Sequence, residues 1–389
     1  MNNYDRAYAI KDEIITHRRT IHQFAEVGYE LPQTRAYVKQ KLLEYGYEPE
    51  EIADGLVATV GKGGKTFLLR ADMDALPMKE ESGLPFASEN GRCHACGHDI
   101  HTSVLLGAAK LLKEQEAELK GTVKLVFQPA EELLTGAKKM VDAGILEKPK
   151  VDCGLMCHVN STGNTAGIML ASGTKCASSN NFRIEITGKG AHGSMPASGV
   201  DPVYIGAQII IGAQELITRE LSFEKSAVLT MGHFEGGSAA NVIPSTAMIE
   251  GTTRTFTLET QEYLKKRLPE VVSDIANMYR GEAKLEFTCD VPVMVNDPDL
   301  SEDISRYIHG LAEYGHFTIG IAKPSPGSED FAFVAREVPA YMLGLNIPDL
   351  ESDVQYPLHN PKVRFNENEI PLGTAAMVEC AVRWLEENQ

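Results

Sequence analysis

Residues 66–74, TFLLRADMD, indicate how this chain folds, because an apolar run there ends in two aspartates. Similar segments follow at 122–132, TVKLVFQPAEE, and at 151–159, VDCGLMCHV, whose polar ends are a glutamate pair and His158. Apolar runs of this length predict buried strands of a largely parallel sheet. Since sites in open α/β sheets form beyond the carboxyl ends of the strands, these three ends are predicted to share one site.

The segments around these strands predict the domain organisation. Amphipathic segments at 101–119 and 135–146 alternate with the strands, which indicates an α/β domain. From 178–292 the pattern changes to β-α-β-β-α-β, with alternating apolar and polar residues in its first strand, so a small α+β domain is predicted there. The flanking segments, 1–177 and 293–389, are predicted to form one discontinuous domain around this insertion.

Composition excludes several classes of protein. The chain has 389 residues, of which 43% are hydrophobic and 23% charged, and it has no apolar run that reaches the ~20 residues needed to span a bilayer. A net charge of −17 opposes binding to nucleic acid or to an anionic membrane surface. Seven cysteines, an odd number, and a polar N-terminus without an apolar signal core predict reduced thiols and a cytoplasmic location.

The segment CHACGHDIHT holds six side chains that can bind a metal: Cys93, His94, Cys96, His98, Asp99 and His101. In an extended segment Cys96 and His98, two residues apart, would share a face. A structural zinc site is the alternative, because Cys93 and Cys96 form a CxxC, but it requires a second ligand pair. The two cysteines of the strand 151–159 have unsuitable spacing, so we favour a site shared with the strand ends.

The pair Glu131-Glu132 follows the second strand and a proline. Neighbours in an extended chain point in opposite directions, so one carboxylate can bind a metal while the other faces a water as general base. A solvated surface pair is the alternative. Asp74 is expected to accept the second N–H of a metal-bound histidine, and a plain turn carboxylate is the alternative for it.

The motifs taken together resemble those of the metal-dependent amidohydrolases of the aminoacylase and carboxypeptidase superfamily. The closest branch contains hippurate hydrolases, indole-acetyl-amino-acid hydrolases and N-acetyldiaminopimelate deacetylases. The resemblance covers essentially the whole chain and rests on ADMDALP, CHACGHDIHT, FQPAEE, GAHGSMP, NVIP and LHNPKVRFNE, in that order. It implies a zinc-peptidase-like mixed sheet with helices on both faces, plus an inserted α+β lid and dimerisation domain.

The resemblance also implies a set of site residues. Two divalent metal ions per subunit (zinc, manganese, cobalt or nickel) would be held by Cys96, His98, Glu132, His158 and His359. Glu131 would be the general base, and His192 in GAHGSMP would serve the active site of a partner subunit, which implies a homodimer. Asn241 and Arg254 are similar to residues that hold the substrate's carboxylate. Without the resemblance, the alternatives are that His192 and Asn241 are ordinary turn residues and that Arg254 is an exposed arginine on a strand.

The implied activity is hydrolysis of the amide bond of small N-acyl amino acids, such as N-acetyl or N-benzoyl compounds, by metal-activated water. Two alternatives stay open, a dipeptidase or carboxypeptidase that uses the same site, and a non-catalytic metal-binding protein. One segment departs from the family pattern: 133–140 is LLTGAKKM where relatives are glycine-rich, which leaves the acyl preference open.

Several side chains match none of these motifs. Tyr204 and Phe333 are expected in the core. The histidines outside the motifs are interpreted as surface or packing residues, namely His17, His22, His233, His309 and His316.

Overall fold

The computed structural model describes residues 1–389. Its α-helices are α1 Asn3–Ala9, α2 Lys11–Phe24, α3 Pro32–Glu44, α4 His98–Glu114, α5 Gly136–Asp142, α6 Pro202–Gly212, α7 Leu258–Met278, α8 Pro298–Ala312, α9 Ala332–Ala335 and α10 Ile370–Glu387. Its strands are β1 Glu50–Ile52, β2 Gly55–Gly61, β3 Thr66–Asp72, β4 Thr122–Gln128, β5 Cys153–Asn160, β6 Gly167–Leu170, β7 Gly173–Cys176, β8 Ser179–Thr187, β9 Ala191–His192, β10 Ala227–Gly236, β11 Val242–Ile243, β12 Thr246–Thr255, β13 Glu282–Val291, β14 Met294–Asn296, β15 Thr318–Ile321 and β16 Ala340–Asn346. No helix combines the length and the apolar character that crossing a bilayer requires.

The chain forms two compact units. The first consists of Met1–Lys175, Val295–Lys323 and Asp330–Gln389, and the second consists of Cys176–Met294 and Pro324–Glu329. The sequence had assigned the short segment 324–329 to the first domain. It joins the second unit because the backbone N–H of Ala177 donates to the carbonyl oxygens of Ser325, at 3.0 Å, and Gly327, at 2.9 Å.

The first unit contains an eight-stranded sheet in the order β1-β2-β4-β3-β5-β16-β6-β15. The four strands at its centre, β4, β3, β5 and β16, are parallel to one another, whereas β1, β2 and β6 pair antiparallel with their neighbours β2, β4 and β16. The predicted fold class, a mixed sheet with an inserted α+β domain, is confirmed. Parallel pairing also brings the carboxyl ends of β3, β4 and β5 to one edge of the sheet.

Helices cover both faces of this sheet. Phe67 of β3 packs edge-on against Trp384 of α10, with 5.5 Å between ring centroids. The next residue, Leu68, points to the opposite face, where it lies with Gly154 of β5 and Phe331 at the start of α9. Each fully buried side chain of this size contributes about 1.5–3 kcal/mol. The apolar runs read from the sequence are therefore buried on both sides, as central parallel strands are.

The second unit is a four-stranded antiparallel sheet in the order β10-β12-β8-β13, with α6 and α7 packed against it. Strand β8 alternates between buried Phe182, Ile184 and Ile186 and exposed neighbours. The order of elements is the predicted β-α-β-β-α-β, with two short strands between them. Tyr204 of α6 is 50% exposed, so its expected place in the core is wrong, and Phe333 is only partly buried.

Candidate metal centre

The chain turns sharply at Gly97, immediately before α4. Gly97 has φ 86°, in the left-handed region, and any added Cβ would collide with the side chain of Val159, so only glycine fits. This turn, rather than the extended segment expected from the sequence, brings Cys96 and His98 together. Their ligand atoms and one from His158 all lie within 4.8 Å of one another.

His158 presents a defined nitrogen to this group. Its Nδ1 lies 2.8 Å from the carbonyl oxygen of Val159, which can only accept, so Nδ1 carries the proton and Nε2 keeps its lone pair. Nε2 lies 3.7 Å from Sγ of Cys96. Burial holds the pKa of His158 well below its usual value, and this favours the neutral form that metal binding requires.

The glutamate pair lies in a turn after β4, not in extended chain. The two carboxylate oxygens of Asp74 accept the backbone N–H groups of Glu131, at 3.0 Å, and Glu132, at 3.1 Å, and Ala130 has φ 57°. As a result both carboxylates approach Nε2 of His98, at 3.8 Å for Glu131 and 3.9 Å for Glu132. The opposite orientations expected for the pair are therefore wrong, because Asp74 holds both amides in a turn.

His359 reaches the same group from a distant part of the chain. Its backbone has φ 63°, uncommon for a residue other than glycine, and its N–H donates to the carbonyl oxygen of Ala95 at 2.9 Å. Its Nε2 lies 3.4 Å from Oε1 of Glu132. Ligand atoms of Cys96, Glu132 and His359 lie within 4.8 Å of one another, so all five predicted ligands meet in overlapping groups.

Asp72, the last residue of β3, and Asp74, two residues later, support the histidines of α4. Asp74 Oδ1 lies 3.4 Å from Nδ1 of His98, the position expected of it from the sequence. Asp72 accepts from Nδ1 of His101 at 2.6 Å and from Arg70 at 2.7 Å. Burial alone would raise the pKa of Asp72, but His98, His101 and Arg70 together hold it well below its usual value. Asp72 is therefore a buried carboxylate anion.

Three residues support the site in a way that the sequence did not predict, although it named one of them, His101, as a possible metal ligand. Nε2 of His101 accepts the backbone N–H of Val159 at 2.9 Å, so His101 connects Asp72 to the strand that carries His158. Arg70 donates to Asp330 at 2.9 Å as well as to Asp72. One signal was available, because an arginine inside the apolar run TFLLRAD requires a buried carboxylate partner. Asp330 lies 260 residues further along the chain, so no local pattern pairs it with Arg70.

The electrostatics of the group fit a bound cation. Both ring nitrogens of His98 and Oε1 of Glu132 are buried without a hydrogen-bond partner, which costs about 1–3 kcal/mol for each atom. Burial alone would lower the pKa of His98, yet Asp72 and Cys96 hold it well above its usual value. Burial raises the pKa of the Cys96 thiol to about 12. A divalent ion bound to Nε2 of His98 and to Oε1 of Glu132 would satisfy these two atoms and stabilise the thiolate, while Nδ1 of His98 faces Asp74 at 3.4 Å.

His192, predicted to be catalytic, lies in the second unit and is exposed. The backbone N–H of Ser194 donates to its Nδ1 at 3.2 Å, and Oγ of Ser194 lies 2.8 Å from the same nitrogen. Because an N–H can only donate, Nδ1 accepts, and the neutral ring carries its proton on Nε2. The exposed edge of His192 is therefore a hydrogen-bond donor.

The two predicted substrate-binding residues also belong to the second unit. The carbonyl oxygen of Asn241 accepts the N–H of Gly193 at 2.7 Å, so Asn241 lies beside the loop of His192. Arg254 lies on β12, is partly buried, and donates to Oγ of Ser328 at 2.8 Å. Burial lowers the pKa of Arg254 from its usual value.

Comparison with known proteins identifies the family. The profile of peptidase family M20/M25/M40 matches residues 68–383. The chain is 35% identical over 385 residues to the N-acetyl-L-cysteine deacetylase of Bacillus subtilis, covering 98% of this chain and 90% of that protein. It is 34% identical over 395 residues to the hippurate hydrolase of Campylobacter jejuni, covering 99% and 100% of the two chains.

A solved structure agrees with these matches. The crystal structure of a dinuclear metal binding peptidase of family M20 from Bacillus subtilis superimposes with a TM-score of 0.82 and 30% identity, over 97% of this chain and 99% of that chain. The matches extend over nearly the full length, and the expected enzyme class is confirmed. The chain therefore belongs to peptidase family M20/M25/M40 and is a metal-dependent amidohydrolase of that family.

Proposed function

We propose that the protein hydrolyses the amide bond of small N-acyl amino acids and releases a carboxylic acid and a free amino acid. The observation that carries this proposal is a set of overlapping groups in which five side chains able to bind a metal lie close together at the carboxyl edge of the sheet. The buried carboxylate of Glu131 lies beside two of them, His98 and Glu132. The relatives named for N-acetylcysteine deacetylation and hippurate hydrolysis support this substrate class.

The residues present fit two divalent ions. One set of donors is Cys96, His98 and His158, and the other is Cys96, Glu132 and His359, so the Cys96 sulfur belongs to both. A mixed thiolate, imidazole and carboxylate set suits zinc, manganese, cobalt or nickel better than magnesium or calcium. Such ions, when bound, lower the pKa of a water molecule and polarise the carbonyl group of the substrate.

Glu131 is the proposed general base. Its side chain is buried, and its backbone N–H is fixed by Asp74, so the carboxylate is held in a defined position 3.8 Å from Nε2 of His98. In the proposed reaction Glu131 accepts a proton from the attacking water and returns it to the amine nitrogen as the C–N bond breaks. General acid–base catalysis of this kind contributes about 10²–10⁴-fold to the rate.

The proposed roles of the second-unit residues rest on the family resemblance and on their own chemistry. His192 would donate its Nε2–H to the carbonyl oxygen as that oxygen gains negative charge. Arg254 would hold the free α-carboxylate of the amino acid, a group that a guanidinium binds through two parallel hydrogen bonds. Asn241 would add a further polar contact to the same carboxylate.

A homodimer and a cytoplasmic location complete the proposal. The second unit exposes Tyr204 and Ile211 on α6, and Val228 and Phe234 on β10, the edge strand of its sheet. An open edge strand with apolar neighbours is suited to pairing with a second copy of itself. All seven cysteines are free, as in proteins of a reducing compartment.

Two alternative functions differ from the proposed one in the substrate that they require. A dipeptidase or carboxypeptidase would use the same site but require a peptide, and a non-catalytic protein would bind metal without turnover. A substrate panel on protein loaded with zinc or manganese separates them: N-acetyl and N-benzoyl amino acids against unblocked dipeptides and N-blocked dipeptides. We expect a higher kcat/KM for the release of free amino acid from N-acetyl and N-benzoyl amino acids than for the cleavage of either kind of dipeptide.

The control for this panel is Glu131→Gln, which keeps the size of the side chain and removes its basicity. We expect kcat to fall by about 10³-fold while metal binding, measured by calorimetry, is retained. Near-wild-type turnover by this variant would contradict the mechanism. Preferred cleavage of peptides would replace the proposed substrate class with the peptidase alternative.

A further inference from the structure

A buried charged cluster lies on the other side of the first turn of α4 from the predicted metal ligands. We call it the Asp99 clamp, defined as Arg18 and His22 of α2, Asp99 of α4 and Glu80. Oδ2 of Asp99 accepts from Nε of Arg18 and from Nδ1 of His22, both at 2.8 Å. All four side chains are almost entirely buried. The sequence had assigned His22 to the surface or to plain packing.

Both ring nitrogens of His22 face carboxylates. Nδ1 lies 2.8 Å from Asp99, and Nε2 lies 3.0 Å from both oxygens of Glu80. Glu80 is itself held by the backbone N–H of Ser88, at 2.7 Å, and by the hydroxyl of Ser82. A carboxylate anion only accepts, so both nitrogens of His22 donate, and the ring is an imidazolium that bridges two anions.

The charge balance of the cluster supports the same state. The clamp holds two anions, Asp99 and Glu80, against Arg18 and His22. Arg18 also donates to Glu367, whose charge the half-exposed Arg19 compensates. With a neutral His22, the cluster would hold one uncompensated buried negative charge, which is strongly disfavoured. Burial alone would lower the pKa of His22, but Asp99 and Glu80 raise it above its usual value.

The clamp is directly connected to the predicted ligands. Asp99 follows His98 in the first turn of α4, and the turn at Gly97 joins that helix to Cys96. The same segment supplies the carbonyl oxygen of Ala95, which accepts the N–H of His359. Three of the five predicted ligands therefore depend on where the start of α4 lies, and Asp99 anchors that start to α2.

We propose that His22 is a positioning residue for the metal centre: as an imidazolium between Glu80 and Asp99, it holds the start of α4 where Cys96 and His98 can bind metal. This inference rests on the proposed metal-dependent function. Some residues orient metal ligands through hydrogen bonds without binding the metal themselves. Replacing such a residue typically lowers metal affinity by about 10–100-fold. A packing residue would change only the stability of the fold.

His17 supplies a matched control on the same helix. It is as buried as His22, and its two nitrogens lie 2.7 Å from the hydroxyl of Tyr37 and 2.8 Å from that of Tyr45. Its partners lie on and just after α3, away from the metal-binding segment. Replacing His17 removes two buried hydrogen bonds, as replacing His22 does, but leaves the Asp99 clamp intact.

The experiment compares His22→Gln, Glu80→Gln and His17→Gln in the full chain. Zinc and manganese affinities of metal-free protein are measured by calorimetry, and thermal unfolding is measured by circular dichroism. We expect about a tenfold or larger loss of metal affinity for His22→Gln, because glutamine cannot donate to both carboxylates, and a smaller loss for Glu80→Gln. His17→Gln should unfold at a lower temperature and bind metal within twofold of the wild type.

Two outcomes would overturn the inference. One is wild-type metal affinity in folded Glu80→Gln and His22→Gln, and the other is a loss of affinity in all three variants that simply follows their loss of stability. Because no substrate is present, this result is separate from that of the substrate panel. A wild-type protein that binds neither metal would overturn the proposed function and this inference together.

Discussion

Two histidines, His98 in the first unit and His192 in the second, show how differently the two regions are built. His98 is completely buried, neither ring nitrogen makes a hydrogen bond, and carboxylates of Asp72, Asp74 and Glu131 lie within 3.8 Å. His192 is exposed, and its Nδ1 is hydrogen-bonded to Ser194, two residues along. The surroundings of His98 come from distant strands, whereas those of His192 are local.

The difference has an energetic consequence. Around His98 the fold leaves buried polar atoms that a cation would satisfy, so metal binding and stability are expected to be linked. The side chain of His192 is exposed and its Nδ1 is hydrogen-bonded to the neighbouring Ser194, so replacing it should not affect the fold. Three single substitutions test this expected difference between the two regions.

The largest effect is expected from His98→Ala. Without this imidazole the metal affinity should fall by more than about 100-fold and turnover should be lost. Metal raises the free energy of unfolding by about 2.7 kcal/mol at a concentration 100 times its dissociation constant, so the wild type should gain thermal stability on metal addition and the variant should not. Differential scanning calorimetry with and without zinc measures both. A full metal-induced shift in the variant would show that His98 is not a ligand.

His192→Ala should separate chemistry from metal binding. Removing one donor to a developing oxyanion costs about 10²–10³-fold in kcat. The metal affinity and the metal-induced rise in unfolding temperature should equal those of the wild type, because His192 is not one of the predicted metal ligands. Steady-state kinetics on an N-acyl amino acid provide the test. If metal affinity falls along with kcat, the contrast between the two regions is incorrect.

The smallest effect is expected from Arg254→Gln. A hydrogen bond to a charged group is worth about 1.5–3 kcal/mol, so KM for an N-acyl amino acid should rise by roughly 10- to 100-fold with little change in kcat. An N-acyl amino acid whose carboxylate is amidated serves as control, and the variant and wild type should cleave it equally. An equal loss on both substrates would mean that Arg254 supports the fold of β12 instead of binding the carboxylate.

Much of the first region follows from residue patterns. The apolar runs with polar ends predicted the parallel strands at the centre of the sheet, and parallel pairing explains why their ends meet. The glutamate pair was found for the same reason, and the Cys/His segment was found because it holds six possible metal ligands in ten positions. His359 could not be found in this way, since it stands in an irregular loop whose only local sign is the motif LHNPKVRFNE, and the family resemblance supplied it.

The geometry of the site was not predictable from these patterns. The sequence suggested extended chain at Cys96 and at the glutamate pair, but Gly97 turns the first and Asp74 turns the second. Side-chain periodicity reports which face of an element is buried. It contains no information about hydrogen bonds between a carboxylate and the backbone of a segment about 57 residues away.

The sequence by itself determined the family, the class of fold, the candidate ligands and the candidate general base, because these depend on residue types at characteristic spacings. Only the tertiary structure decided how Cys96 and His98 are brought to one point, and which buried charges hold them there. The sequence assigned His22 to the surface or to packing and named His101 only as a possible metal ligand, because their partners Asp99, Glu80 and Asp72 are visible only in the fold. The physical reason is that a buried ionic group is defined by its partners, and those partners lie far away along the chain.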